Sequence, residues 1–359
     1  MRKDIIDLVL EYVSKRKYND IISLAVSGSQ SIGVANNYSD IDIIAITQSE
    51  KNDVAIGEFS VVQYKNKRIE ILWHTKESAL NFIRTYEKIK YVGLNDGMKR
   101  DVERFVCAKP ILGESIWDEI LLNIQHDIYR NQLALDYRRV AAANFEDLIG
   151  VLSAGEYVIS VDFVRFLLQT ELEALSAITG DTYGRRKWLL KRLNKNKIIS
   201  RSIVEGFKRY YYGICVDEVK IINWLAEAIR FWQNIQFEVN SKIFNLKPLN
   251  KRLITLIRQE YGDFCVTVPD LLVFKLGTIW GARTSEKTIT ITTEMASILS
   301  CLIDLRPIIK FDEEQEQEQE QEQILELVQK LIDLELLVVY EDINSFNQCI
   351  KKRFGNNIE

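Results

Sequence analysis

Two aspartates open an otherwise apolar run in Ser39-Asp40-Ile41-Asp42-Ile43-Ile44-Ala45-Ile46. Side chains two apart in a strand point the same way, so Asp40 and Asp42 share one face. Aspartate is depleted in strands, and like charges on one face repel. Leaving both unpaired on a half-buried strand costs on the order of several kcal/mol. A divalent cation removes that cost, and magnesium suits it, taking a few carboxylate oxygens and filling its remaining positions with water and phosphate. Arg68-Ile69-Glu70-Ile71-Leu72-Trp73 offers a third carboxylate. Alternation puts Ile69, Ile71 and Trp73 on one face and Glu70 on the other. Three carboxylates can hold two ions, one activating an attacking oxygen and one accompanying a triphosphate. Upstream, Ser27-Gly28-Ser29 ends another apolar run. A glycine there lets the chain approach phosphate closely, so that backbone N–H groups and the Ser29 hydroxyl can contact it, aided by the positive end of a following helical turn.

The elements that must position these residues are legible nearby. Ile5, Ile6, Leu8, Val9, Leu10 and Val13 recur at helical spacing after Asp4. Ile21 to Val26 and Ile41 to Thr47 read as strands, and Phe59 to Tyr64 with Arg68 to Thr75 as a hairpin around Lys65-Asn66-Lys67. The pattern then turns helical: Ser78–Ile89, Asp96–Val106, Ile124–Leu152, Tyr157–Ile178, Arg185–Leu193, Ile203–Tyr212 and Val216–Phe237. Past Gly262, Phe264–Val268, Leu271–Leu276, Thr288–Ile291 and Leu337–Tyr340 are β-like, while Glu294–Leu302 and Ile324–Leu336 are helical. The Glu-Gln repeat from Glu313 to Gln323 builds no core and reads as a solvated loop or helix extension. The expectation is an α+β multidomain chain. It comprises a small mixed-sheet head over 1–110, a helical domain over 111–261, and a small α+β domain over 262–359.

Composition narrows the function classes. Across 359 residues, 47% apolar and 27% charged side chains suit a globular protein, and a net charge of −4 gives no global reason to bind nucleic acid or an anionic membrane. Five scattered cysteines without a C-x-x-C pair argue against a disulfide framework and a zinc ribbon. With neither a signal-peptide pattern nor an apolar membrane span, the expected compartment is cytoplasmic. The two histidines, His74 and His126, form no Ser-His-Asp or zinc pattern, and His74 reads as a partly exposed strand-end residue. Asp136, Glu146 and Glu171 are candidate bases on helices of unknown facing, and Tyr210-Tyr211-Tyr212 reads as helix packing rather than a base-stacking surface.

Gly28-Ser29, ten residues, Asp40-Ile41-Asp42 and a later strand-borne Glu70 resemble the DNA polymerase β-type nucleotidyltransferase superfamily. Within it the chain is similar to the small-substrate and antibiotic nucleotidyltransferases, and Ser31-x-Gly33 and Ser39 add to the match. The family's third carboxylate is often Asp, where this chain has Glu70. The resemblance implies that Asp40, Asp42 and Glu70 are catalytic and bind two magnesium ions, and that Gly28, Ser29 and Ser39 hold the nucleoside triphosphate. It also implies a basic residue of the helical domain over the phosphates: Lys187, with Arg185 and Arg186 behind it. The C-terminal part faintly resembles peptide-binding winged-helix domains. Its helix 324–336 carries Glu326, Asp333 and Glu335 against Lys330, which disfavours nucleic acid and favours peptide or protein contact, or a homodimer. Three functions are compatible with these features: nucleotidyl transfer to a small-molecule hydroxyl, nucleotidylation of a peptide or protein recruited by the C-terminal domain, and non-catalytic nucleotide binding.

Overall fold

The computed structural model describes residues 3–16, 18, 20–49, 57–122, 124–213, 218–246, 251–261, 265–268, 270–276, 278–302 and 318–340. The chain forms two units, residues 1–136 with 176–198, and residues 137–175 with 199–359.

In the first unit, α1 (Lys3–Lys15) precedes β1 (Ile21–Val26), with Asp4 in its first turn and Lys15 in its last, as the helix dipole favours. The short turn α2 (Gly28–Ser31) leads towards β2 (Ile41–Thr47), followed by β3 (Phe59–Tyr64) and β4 (Lys67–Thr75). Lys65 and Asn66, both at positive φ, make the two-residue turn between β3 and β4. The rest of the unit holds α3 (Lys76–Ile89), α4 (Asp96–Cys107), β5 (Lys109–Leu112), α5 (Glu114–Leu121) and the opening turns of α6 (His126–Ser153). It is completed by the end of α7 (Tyr157–Ile178) and by α8 (Leu189–Lys195).

The sheet runs β3-β4-β2-β1-β5, with β2 and β4 parallel and every other pair antiparallel. Strand alternation gives it two distinct faces. Ile41, Ile43, Ala45, Ile69, Ile71 and Trp73 bury against Ile5, Val9 and Tyr12 of α1. The opposite face carries Ile44, Ile46, Leu72 and His74, and there an aromatic group builds up, with Phe105 of α4 stacked on Trp117 of α5 at 5.4 Å. Asp42 and Glu70 belong to this second face, at the end where the strands begin.

The second unit contains the rest of α6 and α7, then α9 (Arg201–Phe207), α10 (Glu218–Phe244) and α11 (Lys251–Tyr261). A two-stranded pair joins β6 (Cys265–Thr267) to the late strand β10 (Leu337–Val339), and β7 (Leu272–Leu276), β8 (Ile279–Arg283) and β9 (Thr288–Ile291) form an antiparallel meander. Helices α12 (Thr293–Cys301) and α13 (Glu318–Asp333) pack on them. The β7 edge is satisfied by helix side chains. Asn240 Nδ2 and Arg138 Nη2 donate to Val273 O at 3.2 and 3.0 Å, and Gln236 Oε1 accepts from Val273 N.

The α+β architecture and the strands expected over residues 21–75 are observed, with β4 beginning one residue earlier than expected, at Lys67, which pairs with Tyr64. The sequence pattern does not reveal β5, α5 or β8: Pro110 and Gly281 fall inside the two short strands, and Gly113 stands between β5 and α5 as the helix N-cap. The part of the Glu-Gln repeat from Glu318 onward is helical, as the first turns of α13; residues 313–317 lie outside the described residues, as does Phe264. Among the described residues, no helix is long and apolar enough to cross a membrane.

Glu171 is fully buried in this unit, and Arg138 Nη1 donates to both of its carboxylate oxygens at 2.9 Å. Burial pushes the Glu171 carboxyl up and Arg138 opposes this. Arg138→Met strands a buried acid and leaves Val273 O to Asn240 alone, so urea denaturation is expected to show a loss of about 3 kcal/mol or more.

Candidate active site

Parallel pairing of β2 with β4 sets Asp42 directly beside Glu70, and in-register neighbours point to the same side. Asp40, two residues before Asp42, is directed to that side also. All three line one cavity of about 510 Å³ together with Gly28, Ser29 and Ser39. Burial, and then the nearby Glu70 and Asp40 carboxylates, push the Asp42 carboxyl up, while Arg104 and Arg185 pull it down. The donor set is oxygen-only, which suits a hard divalent cation, and the raised Asp42 carboxyl marks a place where added positive charge is favourable. Among the described residues, no three His, Cys, Asp or Glu side chains converge as a ready-made metal cluster. The guanidinium of Arg68 instead reaches Glu70 at 2.6 Å and Asp40 at 3.7 Å.

Gly28 is required twice over. Its φ is +65°, and a Cβ there would fall 1.9 Å from Asp42 Oδ2. The turn is tied to the strand by Ser27 N donating to Asp42 O at 2.8 Å. Ser31 Oγ donates to Gly28 O at 2.8 Å, and the Ser29 carbonyl accepts from the backbone N–H groups of Val34 and Ala35. From α8, Lys191 Nζ donates to Val34 O at 2.7 Å, and Lys195 Nζ to Ile32 O and Gly33 O at 3.0 and 2.9 Å. Next along the chain, Asn36 Oδ1 accepts from Tyr38 N and Ser39 Oγ. That loop holds Tyr38 at the cavity rim with 95% of its surface exposed.

The cavity's other wall is basic and aromatic. Lys187 lines it, with its Nζ 5.7 Å from the Trp188 ring, and Arg185 lines it from the segment before. Arg186, the third basic residue of that run, is exposed and is not among the lining residues. Glu103 and Arg104, consecutive on α4, are charged contributors that the sequence pattern does not single out. Glu103 is only 8% exposed, and its Oε1 lies 3.3 Å from Arg185 Nε. Burial pushes the Glu103 carboxyl up, and Arg185 opposes it. The one signal for it in the sequence is a glutamate set within the helical arc of Val102, Phe105 and Val106.

The helix-borne candidate bases are engaged elsewhere and do not line the cavity. Asp136 pairs with Lys99 at 2.8 Å, Glu146 with Arg283, and Glu171 with Arg138. His74 corrects the expectation of a partly exposed residue. It is 7% exposed, packed 5.3 Å from the Phe105 ring and bonded through Nδ1 to Ser78 Oγ. Helices later in the chain than β4 cover its end, so a strand-terminal position is not a surface position. Tyr210 packs on Phe231 at 5.4 Å, in keeping with the packing role read for the tyrosine run.

Residues 6–102 match the family model described as nucleotidyltransferase domain, a span that includes both aspartates, Glu70 and the Gly28 turn. The head is thus a nucleotidyltransferase domain of the polymerase β-like superfamily, and the chain is a transferase by class. A nucleotidyltransferase-like protein from Exiguobacterium sibiricum 255-15 is similar at 10% identity, over 78% of this chain and 99% of its own, with a TM-score of 0.33. No curated protein matches the chain.

Burial pulls the His74 pKa from 6.5 down to about 4. The unfolded chain binds the extra proton first, so this neutral imidazole contributes stability that is whole above pH 6.5 and is lost as pH falls towards 4. The full difference is about 3 kcal/mol. Denaturation midpoints measured across that window are expected to fall less steeply in His74→Gln than in the wild type.

Proposed function

We propose that this chain transfers a nucleoside monophosphate from a nucleoside triphosphate to a hydroxyl of a small molecule, with release of pyrophosphate. The observation that carries the reading is the in-register Asp42–Glu70 pair beside the Gly28 turn, at one cavity with Asp40 on the same side and Arg104, Arg185 and Lys187 also lining it. The acceptor oxygen attacks the α-phosphorus, the bond from that phosphorus to the bridging oxygen breaks, and the acceptor's proton leaves to solvent. Such a transfer is achieved by in-line positioning and charge neutralisation rather than by a covalent intermediate.

Asp40, Asp42 and Glu70 would hold magnesium, in a site with room for two ions, and when bound it lowers the charge repulsion between triphosphate and nucleophile. The chain's own residues do the rest. The Gly28 turn brings backbone and the Ser29 hydroxyl to the triphosphate, with Ser39 beside them. Arg185 and Lys187 neutralise the phosphates, and Glu103, at Arg185 Nε, fixes which edge of that guanidinium stays available for them. Arg104 adds a second cationic group on the same wall.

Incubation with labelled triphosphates, magnesium and a panel of hydroxyl-bearing small molecules is expected to place label on a small molecule and release pyrophosphate. Asp42→Asn is expected to lower that release by roughly a thousandfold or more. Label recovered on a peptide or on protein would move the acceptor class, while nucleotide binding without pyrophosphate from any acceptor would overturn the transfer itself. Glu103→Gln is expected to raise the nucleotide KM by about tenfold, the scale of a partly buried ion pair, with a smaller effect on kcat.

A further inference from the structure

Arg68 differs in its contacts from the other arginines at this end of the sheet. Arg104 and Arg185 pair with Asp101 and Glu103, whereas Arg68 binds the site carboxylates themselves. Its Nη2 lies 2.6 Å from Glu70 Oε1 and its Nη1 3.7 Å from Asp40 Oδ2. The register makes this contact direct: Arg68 precedes Glu70 by two residues on β4, so both side chains leave the same face. Its neighbour Lys67 is bonded through Nζ to Asn37 O, which ties the hairpin turn to the loop carrying Asp40. Asp40, Asp42 and Glu70 line one cavity with carboxyl groups, and the half-exposed guanidinium, at 47%, supplies a single positive charge that can leave into water.

We infer that Arg68 is the resident counter-ion of the carboxylate site and that a divalent cation binds by displacing it. This rests on the reading of those carboxylates as the magnesium site. A carboxylate oxygen engaged by the guanidinium is unavailable to a cation's inner shell, and a fixed positive charge alongside repels the incoming ion. Arg68 therefore holds Asp40 and Glu70 together in the cation-free protein and sets the affinity for free cation below what three carboxylates alone would give.

Manganese binding to the full chain without nucleotide, followed by electron paramagnetic resonance, tests this in the wild type, Arg68→Ala, Arg68→Lys and Asp42→Asn. Arg68→Ala is expected to bind manganese about three- to tenfold more tightly. Its cation-free form is expected to melt lower and to gain more from saturating manganese, and Arg68→Lys is expected to stay near the wild type because the charge is kept. Should Arg68→Ala fail to fold, Arg68→Gln removes the charge while keeping a donor and serves the same comparison. Equal or weaker manganese binding in the charge-free variant overturns the inference. If the wild type binds manganese no better than Asp42→Asn, the metal-site reading has failed, and the inference falls with it.

Discussion

The β2–β4 pairing sets two carboxylates side by side, at the roughly 4.8 Å spacing of neighbouring strands. Asp42 and Glu70 repel one another across that gap, and Arg68 on β4 offsets the charge at Glu70 and Asp40 without contacting Asp42. The sheet tolerates the repulsion because the alternate residues, Ile41, Ile43, Ile69 and Ile71, are buried against α1 on the opposite face. Hydrophobic burial on one side thus holds in place an electrostatic conflict on the other. The Gly28 turn depends on the same geometry, since only a residue without Cβ fits beside the Asp42 carboxylate. Shifting β2 by one residue would send both aspartates into the α1 core.

Positive charge is distributed around that conflict at graded distance. Arg68 contacts two of the acids, Arg104 and Arg185 lower the Asp42 carboxyl through their charge, and Lys187 stands on the far wall near Trp188. Burial and the acidic neighbours outweigh these cations, so the Asp42 carboxyl stays raised. An acid in that condition favours any additional cation brought near it. The buried Glu103 acts in the opposite sense, its Oε1 lying 3.3 Å from Arg185 Nε on the cavity wall.

The strands and the shared face of Asp40, Asp42 and Glu70 are readable in the sequence because a strand has a period of two and the aspartates interrupt an apolar run. That β4 lies parallel to β2 with Glu70 beside Asp42 is not readable there, since pairing is settled by packing over the whole sheet. Glu103 and Arg104 are hidden for another reason. They sit in a charge-rich helical stretch, where the apolar arc of Val102, Phe105 and Val106 is the one hint at Glu103, and the packing of α4 brings both to the cavity. His74 departs from expectation because burial at a strand end depends on which side chains pack over it, here the Phe82 and Phe105 rings. The acids of the long helices cannot be sorted by sequence at all, and each has its own basic partner.

The lysine clasp on the loop after Gly28 has a consequence for biosynthesis. Lys191 and Lys195 hold the carbonyls of Ile32, Gly33 and Val34 from more than 150 residues downstream, and Arg185 reaches Glu103 across a shorter loop. A ribosome that has released only β1 to β4 has extruded Asp40, Asp42 and Glu70 but neither lysine. The nascent head therefore waits, with its Gly28 turn unclasped, until the chain has passed residue 195. Cutting the gene at the end of the matched domain, at residue 102, would freeze the protein in that unfinished condition.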